Sequence, residues 1–367
     1  MRNTSLKILI VALLISALGI LSIYSSTYRK EGELWKNIYQ RQIIWVIIGL
    51  IAFMFVSNFN YRRIWDFIYL LYGITVFLLL LVFILGIERL GAQRWLKLAW
   101  FNFQPSEFAK LITVLFLAKY FSSKTADDVS LRASRLGFLR AFILPFIFVA
   151  VPIALIVEQP DFGSGTIIFL IFFVMLYLSN IKLRYLLIVL VILGFAAPLA
   201  WNFLRGYQKE RILVFLNPNI DPLGAGYTII QSKIAIGSGG FLGKGWLSGT
   251  QSQLHFLPES HTDFIFATFA EEWGLLGSLV LLSLYFVLIR QGLAIAGKTA
   301  DPFGKFSALG ICLMFCIQIF VNIAMNLGLA PVVGLPLPLM SYGGSSVFVT
   351  FLSLGILANI NKTRAVF

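Results

Sequence analysis

Asp263 has the residue type and setting best suited to chemistry. It closes the run Phe256-Leu257-Pro258-Glu259-Ser260-His261-Thr262-Asp263 and is followed directly by apolar sequence. A carboxylate at the mouth of a membrane cavity can take a proton from a sugar hydroxyl. The same position is also a good N-cap for the helix that follows, with Thr262 as the rival cap. A cap would hold the carboxylate ionised through the helix field and limit its basicity. The two roles are compatible, and the residues alone leave both open. Glu259 and His261 add polar groups beside it. His255 and His261, with Glu259 between them, lack the tight spacing of a metal site, so no metal ligands are assigned.

Further charges cluster at comparable depth. Glu107 and Lys110 are three apart, which puts them on one helix face where they can pair. They are either a structural ion pair or a polar wall in which Lys110 meets phosphate oxygens. Glu158 and Asp161 flank Pro160, as a plain turn or as another wall of the same cavity. Arg94, Lys97, Arg205, Lys209 and Arg211 are cations expected on the outer side. Arginine suits a pyrophosphate because its guanidinium donates in a fork. Lys244 sits between glycines, a setting that permits close phosphate approach. Glu271 and Glu272 fall inside an apolar run, so at least one must face protein or water. Cys312 and Cys316 are four apart in another apolar run and read as small core residues.

These groups need a scaffold, and the composition says which kind. Of 367 residues, 59% are hydrophobic and only 12% are charged. The mean hydropathy is +0.88. A soluble chain of this length could not hide that much apolar surface. The apolar residues fall in ten runs: 6–27, 43–59, 64–87, 105–121, 138–157, 163–180, 183–203, 264–290, 305–328 and 340–361. Each is near the length that crosses a bilayer as a helix. The first run imitates a signal peptide, but it has no small-residue cleavage site and more runs follow.

With the N-terminus in the cytoplasm, the inner side carries 16 of the 29 basic residues and only four of the 16 acids. That asymmetry places both termini in the cytoplasm. The net charge of +13 is then nearly all on the inner side, facing anionic lipid, and nucleic acid is set aside as a partner. The expected fold is an all-α polytopic membrane protein with ten transmembrane helices. It forms a single transmembrane domain over 1–367, with one long outer loop, 204–263, between helices 7 and 8. Loops of that length are usually functional. This one is rich in glycine and includes an amphipathic or re-entrant piece near Gly226–Ile236. Pro331–Pro338 and Ser341–Ser346 break the entry to the last span, and broken backbone at membrane depth must line a cavity or be buried in protein.

Several motifs then carry a resemblance over nearly the whole chain. They are Gly91-Ala-Gln-Arg-Trp95, Phe103-Gln-Pro-Ser-Glu-Phe-Ala-Lys110, Gln159-Pro-Asp-Phe-Gly163, Asp221-Pro-Leu-Gly-Ala-Gly-Tyr227, Gln231–Gly240, Leu257–Phe264 and Ser341-Tyr-Gly-Gly-Ser-Ser346. In these the sequence resembles the SEDS family, the bacterial membrane proteins of shape, elongation, division and sporulation. Lys244–Leu247, Gly249–Leu254 and Asn217–Asp221-Pro222 place it on the rod-elongation side of that family. The resemblance implies a peptidoglycan glycosyltransferase that polymerises lipid II at the outer face of the cytoplasmic membrane. It implies that Asp263 is the essential aspartate and that Glu107 and Lys110 are functionally important. It further implies a class B penicillin-binding protein, the elongation transpeptidase, and other elongation-complex membrane proteins as partners, and it leaves Mg2+ or Mn2+ open as a cofactor. In the expected mechanism Asp263 acts as general base or orients the hydroxyl, with Arg94, Lys110, Arg211 and Lys244 offsetting pyrophosphate charge. Glu158, Asp161, Glu259 and His261 support them. A lipid II flippase and a non-catalytic activator of the transpeptidase are the rival readings.

Overall fold

The structure is a computed structural model that describes residues 2–28, 37–89, 92–98, 101–125, 142–179, 204–222 and 224–363, with scattered positions between 187 and 202. Most of the expected seventh span, 183–203, lies outside the described residues. So do Arg132, Arg135, Arg140, Lys182 and Arg184 of the orientation count, and Gly91 and Leu223 of the motifs.

Twelve helices are seen among the described residues. They are α1 (Arg2–Thr27), α2 (Ile38–Asn58), α3 (Arg62–Leu85), α4 (Pro105–Thr125), α5 (Leu144–Glu158) and α6 (Phe162–Leu178), followed by α7 (Gly206–Leu216), α8 (Ala225–Gly239), α9 (Thr250–Gln253), α10 (Ile265–Lys298), α11 (Pro302–Asn326) and α12 (Gly344–Thr363). Six of them (α1, α2, α3, α10, α11 and α12) are long and apolar enough to cross a membrane. The chain is thus a multi-pass, essentially all-α membrane protein. Helices dominate because a segment in hydrocarbon must satisfy its backbone within itself.

Burial sorts the bundle. The last helix, α12, is buried over most of its length, whereas α2 and α3 turn apolar side chains outward. It packs chiefly on α2, α4 packs on α11, and α10 packs on α11, α8 and α1. Asn359 of α12 closes the short turn after α2. Its Nδ2 donates to the carbonyls of Ser57 (3.0 Å) and Phe59 (2.5 Å), and its Oδ1 accepts from Tyr61 N (3.1 Å). Cys312 is buried but Cys316 is exposed, so the four-residue spacing does not put both in the core.

Three features differ from the sequence expectation. A small antiparallel sheet, β1 (Gly86–Arg89), β2 (Ala92–Leu98) and β3 (Phe101–Phe103), links α3 to α4. Its strands are short and abut a long apolar run, so their alternation is masked in sequence. The 204–263 loop is built of α7, α8, α9 and a 3-10 turn at Pro218–Ile220, and the helical piece foreseen near Gly226 is α8.

The third difference is that α10 is broken. Gly274 has φ +65°, and the chain at 240–245 fills the gap. Lys244 N and Gly245 N donate to the carbonyls of Glu271 and Glu272, each over 3.0 Å, while Leu275 N and Leu276 N donate to those of Gly240 (3.0 Å) and Phe241 (3.2 Å). Two glycines permit this approach. A Cβ on Gly274 would lie 2.3 Å from Gly243 N, and one on Gly243 (φ +81°) would lie 2.1 Å from Glu272 O. Only residues without a Cβ fit there.

Candidate active site

Asp263 lies two residues before α10, half-buried. The expected N-cap is not observed: Phe264 occupies the cap position and no side chain caps from there. Thr262 Oγ1 instead donates to Glu259 Oε2 over 2.9 Å. The first turn of α10 is served from elsewhere, because Asn326 Oδ1 accepts from Ala267 N at 3.1 Å. The Asp263 carboxylate is therefore not committed to a cap, and the helix field does not keep it acidic. Burial pushes its pKa up to about 7, and the neighbouring Glu259 adds to the rise. Arg94 and Arg211 pull the other way, and Asp161 contributes a smaller upward push. A carboxyl so placed is poised to exchange a proton near neutrality.

The groups brought to it from elsewhere come from three separate elements. Arg94 is on β2. Its Nη2 donates to Pro160 O over 2.5 Å, while its Nε is buried with no hydrogen-bond partner among the described residues. Arg211 is on α7, and burial together with the Arg94 charge lowers its pKa. Two guanidiniums close enough to repel, one with an unused buried donor, make a site suited to an anion with several oxygens. Asp161 is the N-cap of α6, where its Oδ1 accepts from Ser164 N at 3.1 Å. Its Oδ2 accepts from Ser106 Oγ (2.9 Å) and Gln104 Nε2 (3.1 Å). Asp161 thus ties the start of α4 to the start of α6. Gln104 N donates in turn to Ser345 Oγ at 3.0 Å. The motifs at 91–95, 103–110, 159–163, 257–264 and 341–346 therefore hold one another in space.

Other expected site residues fall differently. Glu107 and Lys110 form a 2.6 Å ion pair with both side chains almost fully buried, 4% and 1% exposed. Glu158 pairs with Arg205 on the exposed surface. Lys244 Nζ is engaged by Glu271 Oε1 (2.7 Å) and Thr250 Oγ1 (2.8 Å) at the α10 break. His261 is buried, with its ring against Tyr342 at 5.9 Å. Glu271 and Glu272 both face protein, and Glu272 accepts from Ser25 of α1. Among the described residues, no group of three or more His, Cys, Asp or Glu side chains could hold a metal ion.

Sequence reasoning quoted Gln104, Ser106 and Ser341 within motifs without giving them a role, and it passed over Asn322 and Asn326. The signal was faint: two asparagines four apart inside an apolar run, and a serine in a Pro/Gly-broken stretch. Ser341 Oγ donates to Thr262 O at 2.6 Å and accepts from Leu337 N at 2.8 Å. Gln42 of α2 anchors the same stretch by donating to Ser341 O at 3.1 Å. Gly334 (φ +69°) leaves room beside the carboxylate, since a Cβ there would sit 3.5 Å from Asp263 Oδ2.

Comparison with known proteins identifies the chain. The family described as cell cycle protein, covering FtsW, RodA and SpoVE, matches residues 5–365. The peptidoglycan glycosyltransferase MrdB of Escherichia coli K12 is 41% identical over 362 residues, covering 98% of this chain and 93% of that protein. Stage V sporulation protein E of Bacillus subtilis is 36% identical, covering 98% and 97%. A chain from a peptidoglycan synthase complex, solved for its coordination of polymerization and crosslinking, superposes with a TM-score of 0.81. It is 33% identical, with 97% of each chain covered. The rod shape determining protein RodA of Thermus thermophilus gives a TM-score of 0.70 at 27% identity, covering 97% and 96%. The chain belongs to the SEDS family, the FtsW, RodA and SpoVE cell cycle proteins.

Proposed function

We propose that the chain is a peptidoglycan glycosyltransferase that polymerises lipid II at the outer face of the cytoplasmic membrane during cell elongation. The observation that carries this reading is the half-buried Asp263 carboxyl, not committed to a helix cap and near enough to Glu259, Arg94 and Arg211 for their charges to act on it. A base and an anion site side by side are what glycosyl transfer from a pyrophosphate donor needs. The acceptor 4-hydroxyl attacks the anomeric carbon of the donor chain, and the anomeric C–O bond to the pyrophosphate breaks. Asp263 takes the hydroxyl proton. Undecaprenyl pyrophosphate leaves with the electron pair, its charge met by Arg94 and Arg211. Lys110 and Lys244 are assigned to structural pairs, with Glu107 and Glu271. Mg2+ or Mn2+, if bound, would offset charge on the leaving pyrophosphate.

The full topology of ten spans, with both termini cytoplasmic and the 204–263 loop outside, belongs to this proposal. It puts the charged cluster on the outer side, where lipid II is presented for polymerisation. The expected partner is a class B penicillin-binding protein, in keeping with the synthase complex of the similar chain.

The test supplies lipid II to the purified chain with its transpeptidase and resolves glycan polymer. Wild type is expected to give polymer and Asp263→Asn none. Equal polymer from both sinks the assignment of Asp263, and polymer from the transpeptidase alone sinks the enzyme reading. Movement of lipid II across vesicles without polymer would favour the flippase.

A further inference from the structure

Three consecutive main-chain carbonyls ahead of α10 are each gripped from the C-terminal third of the chain. Tyr342 N donates to His261 O at 2.9 Å, and Ser341 Oγ to Thr262 O at 2.6 Å. Asp263 O receives two donors, Asn322 Nδ2 at 3.1 Å and Asn326 Nδ2 at 3.0 Å. A carbonyl oxygen has two lone pairs, so this one is saturated. The two asparagines are four apart on α11, which stacks them on one face, and both are fully buried.

Each asparagine does a second job that bears on the same carboxylate. Asn322 Nδ2 also donates to Leu335 O at 2.6 Å. Leu335 follows Gly334, where a Cβ would lie 3.5 Å from Asp263 Oδ2. One amide therefore fixes both the backbone that carries the carboxylate and the backbone that forms the wall opposite it. Asn326 joins the Asp263 peptide to the first turn of α10 through Ala267 N, and its own carbonyl accepts from Ser232 Oγ of α8 at 2.7 Å. The Asp263 side chain rotates about a Cα whose following peptide is pinned to two helices of the long loop and the bundle.

We propose that Asn322 and Asn326 are positioning residues for Asp263, holding its carboxylate in register with Glu259, Arg94 and Arg211. This rests on the reading of Asp263 as the base. Interhelical amide bonds of this kind can also be plain packing contacts between membrane helices. The distinction lies in what changes when they are removed. Loss of a packing contact lowers the amount of folded protein and leaves each folded molecule as active as before. Loss of a positioning contact changes the chemistry of the molecules that remain folded.

The experiment uses Asn322→Leu, which keeps volume and removes the donor, and Asn326→Ser, which shortens it. Both are assayed on lipid II with the transpeptidase present, per folded molecule, for kcat, KM and the pH profile of kcat. A misplacement of about 1 Å costs on the order of 100-fold. The expected result is kcat lower by about 10- to 100-fold with KM within about threefold. The acid limb of the profile is also expected to move away from its wild-type position. Folded variants with wild-type kcat and an unmoved limb overturn the proposal. If Asn322→Leu does not fold, Asn326→Ser, which removes the amide bonds to Asp263 O and Ala267 N without adding volume, decides alone. Asp263→Asn is run in parallel. If it stays active, the reading of Asp263 fails. If it is inactive while the asparagine variants behave as wild type, only the positioning proposal fails.

Discussion

Arg94 donates from Nη2 to the carbonyl of Pro160 over 2.5 Å, while its Nε stays buried and unused. The bond locks the guanidinium plane against the turn that carries Asp161. The unused donor is the part left for a ligand. Arg94→Lys keeps the charge but removes the fork, and so does Arg211→Lys. Each is expected to lower kcat/KM for lipid II on the order of 100-fold, the scale of losing one donor at a developing negative charge. Steady-state polymerisation measures it, and activity unchanged in both variants would remove the arginines from the anion site.

The pH dependence has a definite sign. Asp263 works as a base only when ionised, and burial with Glu259 raises its pKa to about 7. Activity should therefore rise with pH through about 7 and fall away below it. Glu259→Gln removes the like charge, so the limb should move to lower pH. Profiles of kcat for wild type and Glu259→Gln check both statements.

Stability should run opposite to activity at the same residue. The folded carboxyl holds its proton up to about 7, against an ordinary value of 3.8. The unfolded chain thus releases the proton first as pH rises from 4, and the folded state loses stability up to about pH 7. The difference is about 4 kcal/mol at most. Asp263→Asn should raise the thermal midpoint in detergent at pH 8, with the gain shrinking toward pH 5. A variant midpoint no higher than wild type at pH 8 would contradict the buried setting.

The Glu107–Lys110 pair allows a cycle. Removing one partner of a buried pair leaves an uncompensated charge and costs about 3–5 kcal/mol. Lys110→Met should destabilise strongly, and Glu107→Gln with Lys110→Met should recover most of the loss. Thermal midpoints of the single and double variants test this. Polymerisation by the recovered double variant then reports whether Lys110 acts only through Glu107.

The break in α10 makes a backbone prediction. Gly274→Ala would place a Cβ 2.3 Å from Gly243 N at φ +65°. Strain of this kind costs about 1–3 kcal/mol before the clash is counted. The variant should lose stability by at least about 2 kcal/mol, whereas Gly297→Ala, whose Cβ would meet nothing, should be close to neutral. Thermal midpoints compare the two.

How much of this was legible in the sequence depends on the range of the interactions. The long helices are local: apolar runs of bilayer length announce α1, α3, α10 and α11. Asp263 stood out because a charge abutting an apolar run is rare. Its role as a cap looked sound for the same local reason, and it fails for a non-local one. The N–H of Ala267 is satisfied by Asn326, 59 residues away. Asn322 and Asn326 reach the Asp263 carbonyl across 59 and 63 residues, and nothing beside them in sequence points there. The arginines are similar. Arg94 and Arg211 are 117 positions apart by number, and only the folded loop makes them neighbours.

The hydrogen bonds from 240–245 into the gap of α10 act as a splint. The short piece Ile265–Glu272 offers the Glu271 and Glu272 carbonyls to Lys244 N and Gly245 N, and beyond the break Leu275 N and Leu276 N donate to Gly240 O and Phe241 O, so one loop segment holds both halves. Asp263 sits at the head of that short piece. Its first turn is also bonded to Asn326 of α11, so the bundle and the loop share hold of it. A displacement of the loop would load both halves of α10 together rather than swing one against the other.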